Sequence, residues 1–304
     1  FNESTKTDAN VCVKVKYNLF NNLLAYIDLQ YRYIQLNMNG KDDKYDAETG
    51  TMRVLSNQKP FHFFNPKVGL NYKINTANNV FASFAVANRE PNRNNYTDAG
   101  PTEKPTSERL YDTELGYNHQ SDGFSFGANV YYMKYKNQLI LNGKMSEIGE
   151  LLTSNIPDSY RTGIELASGV KITGGLRWDG NLNLSRNKIL NFTEYVDMYD
   201  ADWNWTDTKV NQFEKTDISY SPDLIANSII SYSFRNFETA LYSTYVGKQF
   251  LDNTSNNDRS IDPYFVNNLR IGYSLKLNQL KSIDFNLLIN NLLNTKYETN
   301  GYNW

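Results

Sequence analysis

Hydrophobic and polar positions alternate with a period of two along most of the chain. Val11, Val13, Val15 and Tyr17 interleave with Cys12, Lys14 and Lys16, and Leu23, Ala25, Ile27, Leu29, Tyr31 and Tyr33 with Tyr26, Asp28, Gln30 and Arg32. The pattern recurs at 64–72, 80–87, 111–117, 124–132, 160–170, 176–184, 224–232, 237–245, 265–273 and 283–289. It predicts about twelve strands, each with two chemically different faces. Charges within these segments keep to one parity, and the other is charge-free along nearly all of them. Many segments reach ten residues, more than the roughly five or six of a soluble sheet. A tilted strand needs about 9–11 to cross a bilayer.

The connections sharpen this. Short ones (Asn18 to Asn22, Asn75 to Asn78, Gln120 to Asp122, Thr173-Gly174, Arg235-Asn236, Asn278 to Lys281) alternate with long ones (Asn39 to Pro60, Asn88 to Ser107, Asn142 to Pro157, Asn191 to Thr216, Asp252 to Asp262). A meander with tight turns on one side and long loops on the other predicts an all-β, antiparallel transmembrane β-barrel, with the turns periplasmic and the loops external. The charge-free parity then faces lipid, where an Arg or Lys at the midplane costs roughly 2–4 kcal/mol. Tyr31, Tyr33, Tyr132, Tyr135 and Tyr245 are placed in interfacial girdles, which suit an apolar ring with a wet hydroxyl.

Composition removes other classes. Of 304 residues, 31 are basic and 33 acidic, for a net charge of -2, without the basic excess of a nucleic-acid partner. Mean hydropathy is -0.62, and no stretch approaches the roughly 18 apolar residues of a membrane helix. With 16 Phe, 23 Tyr and 4 Trp the chain is too aromatic for disorder. The lone Cys12 makes no internal disulfide and reads as a small buried hydrophobe. Both ends look cut, at Phe1-Asn2-Glu3 and Tyr302-Asn303-Trp304.

Several segments carry a resemblance. Phe64-Asn65-Pro66-Lys67-Val68-Gly69-Leu70-Asn71-Tyr72-Lys73 resembles the P-x-x-G-x-x-Y strand of TonB-dependent outer-membrane receptors, and Val80 to Pro91 the next strand, ending in that family's R-x-P. Glu108 to Gly116 is similar to its E-x-x-x-x-x-E-L-G strand. Asn290-Asn291-Leu292-Leu293-Asn294-Thr295-Lys296-Tyr297 resembles its near-terminal N-N-L-F-D-x-x-Y, with Leu293 and Asn294 in place of Phe and Asp. The resemblance implies a 22-stranded barrel around an N-terminal plug. Residues 1–304 would be a partial barrel, strands ten through twenty-one, with the plug and the final strand outside this sequence. It further implies a Gram-negative outer-membrane location, contact with outer-membrane lipid, the chain's own plug and the TonB energy-transducing complex, and admits a surface lipoprotein partner.

The function so implied is active uptake of a scarce nutrient, a ferric siderophore or similar iron complex, with no enzymatic activity, cofactor or resident metal. The candidate ligand-binding residues are Arg89, Arg93, Tyr96, Arg109, Trp203 and Trp205. The basic side chains, with Lys104, flank one loop and suit an anionic cargo. The competing reading pairs Arg89 and Arg109 with carboxylates of the wall or plug. The stretch Tyr195 to Trp205 mixes aromatics with Asp197, Asp200 and Asp202. It suits stacking on a sugar or catecholate, or equally a self-packed loop, and it lacks the glycine and terminal Glu of an EF-hand. Two readings from other classes stand beside uptake. One is a soluble all-β glycan-binding or glycan-cleaving domain with Asp112 and Glu114 as its carboxylates. The other is a passive porin-like channel.

Overall fold

The computed structural model describes residues 2–46, 50–99, 104–145, 151–202, 204–277 and 281–301. In chain order the elements are β1 (Asn2–Phe20), β2 (Leu23–Asp46), β3 (Thr51–Asn57), β4 (Pro60–Lys73), β5 (Asn78–Arg89), α1 (Arg93–Asp98), β6 (Glu108–Gln120), β7 (Phe124–Met145) and β8 (Leu151–Thr173). There follow β9 (Leu176–Tyr199), β10 (Trp205–Asp217), β11 (Leu224–Phe234), β12 (Phe237–Val246), β13 (Gln249–Phe250), β14 (Ser260–Ile261), β15 (Tyr264–Leu275) and β16 (Ile283–Ile289). Twelve strands form one path, β1-β2-β4-β5-β6-β7-β8-β9-β11-β12-β15-β16, while β3 pairs with β2, β10 with β9, and β13 with β14. Every pairing is antiparallel, and all twelve segments read from the alternation lie on the path.

The wall is one layer thick. Its apolar parity stays exposed, with Val13 at 55%, Leu115 at 61% and Leu287 at 55% of full accessibility. On the opposite parity, polar side chains bond across strands: Asn65 Nδ2 to Gln30 Oε1 at 3.0 Å and Asn227 Nδ2 to Asn181 Oδ1 at 3.0 Å. These outward apolar side chains do not converge on a dry centre. Buried apolar clusters occur instead toward the long-connection side. Leu36, Met38 and Leu55 form one, and Ile140, Ile156, Ile189, Phe192 and Ile218 form the other.

Those clusters explain where the expected loops fail. Much of Asn39–Pro60, Asn142–Pro157 and Asn191–Thr216 is strand, because β2, β7, β8 and β9 run to 24, 22, 23 and 24 residues. Within them the pattern changes face. Asn137 (φ 52°) and Asn191 (φ 55°) adopt left-handed backbone, which Asn tolerates better than most residues. Past these residues the inward set becomes Gln138 and Ile140 in β7 and Phe192 in β9. A strict period of two ends there although the strand does not. Part of Asn88–Ser107 forms α1, capped reciprocally by Asn92 and Asn95. The expected turn at 278–280 and the terminus 302–304 lie outside the described residues.

Two further expectations are corrected. Cys12 is exposed, not buried, as are the residues of both parities from Glu3 to Phe20 along the edge strand β1. Tyr135 is not a girdle residue. It pairs in register with Leu110 and Ser159, on the inward parity, and its hydroxyl meets Met133 Sδ at 3.8 Å. Tyr31 (48% exposed) and Tyr132 (47%) do lie on the outward face.

The inward face carries a repeated device. Tyr26 lies opposite Gly69, Phe81 opposite Gly116 and Tyr131 opposite Gly163 in the register. In each pair the ring folds over the glycine. A Cβ on Gly69 would stand 2.5 Å from Tyr26 Cζ, and Cβ atoms on Gly116 and Gly163 would meet Phe81 and Tyr131. Glycine inside a strand is otherwise a weakness. Here it admits a ring that covers the bare backbone.

Beyond the wall, residues 251–261 are pinned by Asn253, which is fully buried. Its Nδ2 donates to Leu141 O at 2.6 Å and its Oδ1 accepts from Ser219 N at 2.9 Å. Arg259 beside it bridges Glu194 and Asp252, each at 2.9 Å.

Two outcomes follow for the intact protein. Gly69→Val is expected to cost about 1–3 kcal/mol through overpacking, seen as a lower temperature for loss of folded-form gel mobility. Adding Tyr26→Ala should recover most of that loss, and a double variant no better than the single would contradict the ring-over-glycine account. Asn253→Ala leaves the buried Ser219 N–H unpaired, at about 1–3 kcal/mol, and removes one of the two side-chain donors to Leu141 O. Limited proteolysis should then cut within 251–261 faster than in the parent, with barrel mobility on gels unchanged.

Candidate functional site

The long-connection side gathers most of the candidate residues. Where β5 ends, its partner β4 continues upward and the chain leaves through α1 before returning as β6. A cleft of about 730 Å³ opens between the upper end of β4, the β3 hairpin and the approach to β6. Tyr96, Lys104 and Arg109 line it together with Arg53, Lys59, Phe61 and Phe63.

Each wall has a local cause. Arg53 holds the C-terminal end of α1, with Nη1 on Ala99 O at 2.7 Å and Nη2 on Thr97 O at 2.7 Å and Tyr96 O at 3.3 Å. A guanidinium suits the negative end of a helix. Tyr96, presented by that helix, packs its ring against Leu36, Met38 and Leu55. Phe61 and Phe63 stack at 5.7 Å. Arg109 Nε donates to Asn88 Oδ1 at 2.9 Å. Lys104 is exposed and has no ion-pair partner among the described residues.

Other candidates lie apart. Arg89 donates to Glu108 Oε2 at 2.9 Å and Leu139 O at 3.2 Å, so it is committed to the wall, as the competing reading had it. Arg93 donates to Asn2 Oδ1. Neither lines the cleft. Trp203 lies outside the described residues. Trp205 opens β10 opposite Tyr199, and both are exposed, at 60% and 53%. Between them Asp200 ties the turn, with Oδ1 accepting from Asn204 N at 2.8 Å and Asp202 N at 2.9 Å. The Asn204 bonds, backbone first, hold its carboxyl below the usual range. That carboxylate is spent on the turn, and among the described residues no three ligating side chains form a metal cluster.

The alternation did not reveal Arg53, Lys59, Phe61 or Phe63 as site residues. The available signal was Phe61-His62-Phe63-Phe64, where bulky rings occupy both parities in succession. A G-x-S-x-G spacing occurs at Gly123-Phe124-Ser125-Phe126-Gly127, but it enters β7 and not the helix that a nucleophile elbow requires.

The motif residues form a structural frame. Arg89 of R-x-P pairs with Glu108 of E-x-x-x-x-x-E-L-G. Glu90 binds Lys6 at 2.6 Å and Arg32 at 3.3 Å, and Arg32 in turn holds Asp8 at 2.5 Å. Pro91 is fully buried. Asn291 (φ 50°) closes the near-terminal turn, bonding Asn268 Oδ1 and Thr295 N and O at 2.8–2.9 Å. Tyr297 stacks on Tyr264 at 4.6 Å.

Comparison with known proteins agrees with this frame. The ferric yersiniabactin uptake receptor of Yersinia pestis superposes with a TM-score of 0.71 at 16% identity, over 99% of this chain and 43% of that one. A siderophore receptor of Acinetobacter baumannii gives 0.74 at 14%, over 99% and 41%. The copper transporter OprC gives 0.71 at 14%, over 97% and 44%. The chain thus spans less than half the length of these structures, which share its fold. A search of curated proteins returns no match. The family model described as TonB dependent receptor-like, beta-barrel matches residues 2–292. With its single-layer wall, outward apolar face and motif frame, this chain belongs to the TonB-dependent receptor β-barrel family of the Gram-negative outer membrane.

Proposed function

We propose that the protein takes up an anionic metal chelate, a ferric siderophore or similar iron complex, by TonB-dependent transport through a barrel of which this chain is part. The observation that carries the cargo assignment is the cleft on the long-connection side, where Lys59, Lys104 and Arg109 meet Phe61, Phe63 and Tyr96, with Arg53 holding α1 at its wall. Cationic donors with aromatic faces suit a chelate that bears carboxylate or catecholate oxygens around a flat organic frame. Two of the structural neighbours, a ferric yersiniabactin uptake receptor and a siderophore receptor, point the same way. Trp205 and Tyr199 form a second aromatic surface for first capture.

A plug of the same protein, moved by the TonB complex, is the transport element that the family implies.

An exposed ion pair contributes only about 0.2–1 kcal/mol and a hydrogen bond to a charged group about 1.5–3 kcal/mol, so no single cation decides the cargo. In the full-length receptor, Lys104→Ala with Arg109→Ala should weaken ferric-siderophore binding roughly 10-fold, about 1.4 kcal/mol, by fluorescence quenching. Trp205→Ala should slow capture and leave barrel assembly intact. A receptor that binds cobalamin or haem and none of a panel of ferric siderophores would overturn the cargo assignment while leaving TonB-dependent transport standing.

A further inference from the structure

The connection that leaves β5 turns inward instead of rising above its own strand. Glu90 follows the last residue of β5, whose ladder neighbours are β4 and β6. Its carboxylate is held elsewhere: Oε1 accepts from Lys6 Nζ of β1 at 2.6 Å and Oε2 from Arg32 Nη1 of β2 at 3.3 Å. On the strand path β2 stands two places and β1 three places from β5, roughly 10 and 14 Å at the usual strand spacing. Lys6 and Asp8 pair in register with Leu36 and Ile34, on the inward parity that Arg32 shares. Phe63 of β4, opposite Arg32 in the register, is buried. The chain beyond β5 therefore crosses the inner face of β4.

The contact is built for a carboxylate. Arg32 presents one edge of its guanidinium to Asp8, with Nε at 3.1 Å and Nη2 at 2.5 Å, and turns Nη1 to Glu90. Such a fork fixes direction as well as charge. The Glu90 side chain is only 8% exposed, and a charge withdrawn this far from water depends on its partners. Pro91 behind it is fully buried. The helix α1 that follows has six residues, below the roughly 12 at which an isolated helix becomes even marginal, so its place is set by contacts. Arg53 fixes its exit through the carbonyls of Thr97 and Ala99, and Asn95 Nδ2 donates to Thr153 Oγ1 of β8. Arg93 donates to Asn2 at an exposed position. At the entry the buried charged contact is Glu90.

We infer that Glu90 is a positioning residue for the cargo cleft. Drawn to Lys6 and Arg32, it lays the stretch from Glu90 to Ala99 over the inner face of the wall, where the Tyr96 ring rests on Leu36, Met38 and Leu55 and closes one side of the cleft. The inference rests on that cleft being the cargo site, and it adds the contact that sets the cleft's width. Glu90 does not line the cleft and acts through α1. A glutamine in its place keeps the size and the hydrogen-bonding groups of the side chain but leaves two cations without their counter-charge. The entry of the connection is then free to rise toward solvent, and Tyr96 leaves its seat with it.

The test uses the detergent-solubilised full-length receptor carrying Cys12→Ser, with spin labels at Asn94→Cys in α1 and Asp258→Cys in the pinned segment 251–261, both exposed positions. Double electron–electron resonance should give one narrow distance in this parent and a broadened one in Glu90→Gln, with folded-form gel mobility unchanged. Lys188→Gln, which breaks an ion pair outside the connection, should leave the distance as it is. Binding of a ferric tris-catecholate, read by fluorescence quenching, should weaken about 10-fold in Glu90→Gln and hold in Lys188→Gln. Should Glu90→Gln fail to assemble, Lys6→Gln removes one of the two cations and should broaden the same distance. An unchanged narrow distance in the assembled variant would overturn the role of Glu90, and a broadened distance with undiminished chelate binding would overturn its link to the cleft. A parent that binds no ferric chelate would instead overturn the cargo reading, with the label distance still deciding what seats α1.

Discussion

A chain that crosses hydrocarbon must satisfy every backbone N–H and C=O within the protein, because no water is there to do so. Everything else in this molecule follows from that demand. A continuous antiparallel ladder meets it, and the ladder then gives each strand one face toward lipid and one toward the interior. The side chains divide accordingly, with Val13, Leu115 and Leu287 outward and Asn65, Gln30 and Asn181 inward. The wall has no hydrophobic core in the usual sense. Its buried apolar clusters stand above it, among strand extensions that have left the membrane and must bury surface as soluble proteins do.

That division explains what could be read from the amino-acid order. All twelve spanning strands were legible because the membrane enforces strict alternation through them. Legibility stopped where the membrane does. At Asn137 and Asn191 a left-handed residue resets the parity, and in β2 the inward set turns from Gln30 and Arg32 to Ile34, Leu36 and Met38. Each change looks like the end of a strand when only periodicity is available.

The candidate site was legible in part, for a related reason. Tyr96, Lys104 and Arg109 do meet in one cleft, but Arg53 and Lys59 come from a stretch read as loop, and their position depends on the β3 hairpin. Arg89 illustrates the opposite case. It belongs to the R-x-P motif, and its guanidinium is fixed on Glu108 of a second motif. The family signature therefore reports how the wall is built. The proposed cargo contacts Lys59, Lys104, Phe61 and Tyr96 lie outside it, which is why the resemblance identified the family without choosing a substrate.

The motif glycines extend this point. Gly69 of P-x-x-G-x-x-Y and Gly116 of E-x-x-x-x-x-E-L-G are the two over which Tyr26 and Phe81 fold. Neither member of such a couple can mutate first without penalty: a larger residue collides with the ring, and a lost ring strips the main chain bare. Relatives that have drifted far from this chain should thus either retain both partners or have exchanged them in concert, leaving correlated substitutions on adjacent strands as a fossil of the constraint.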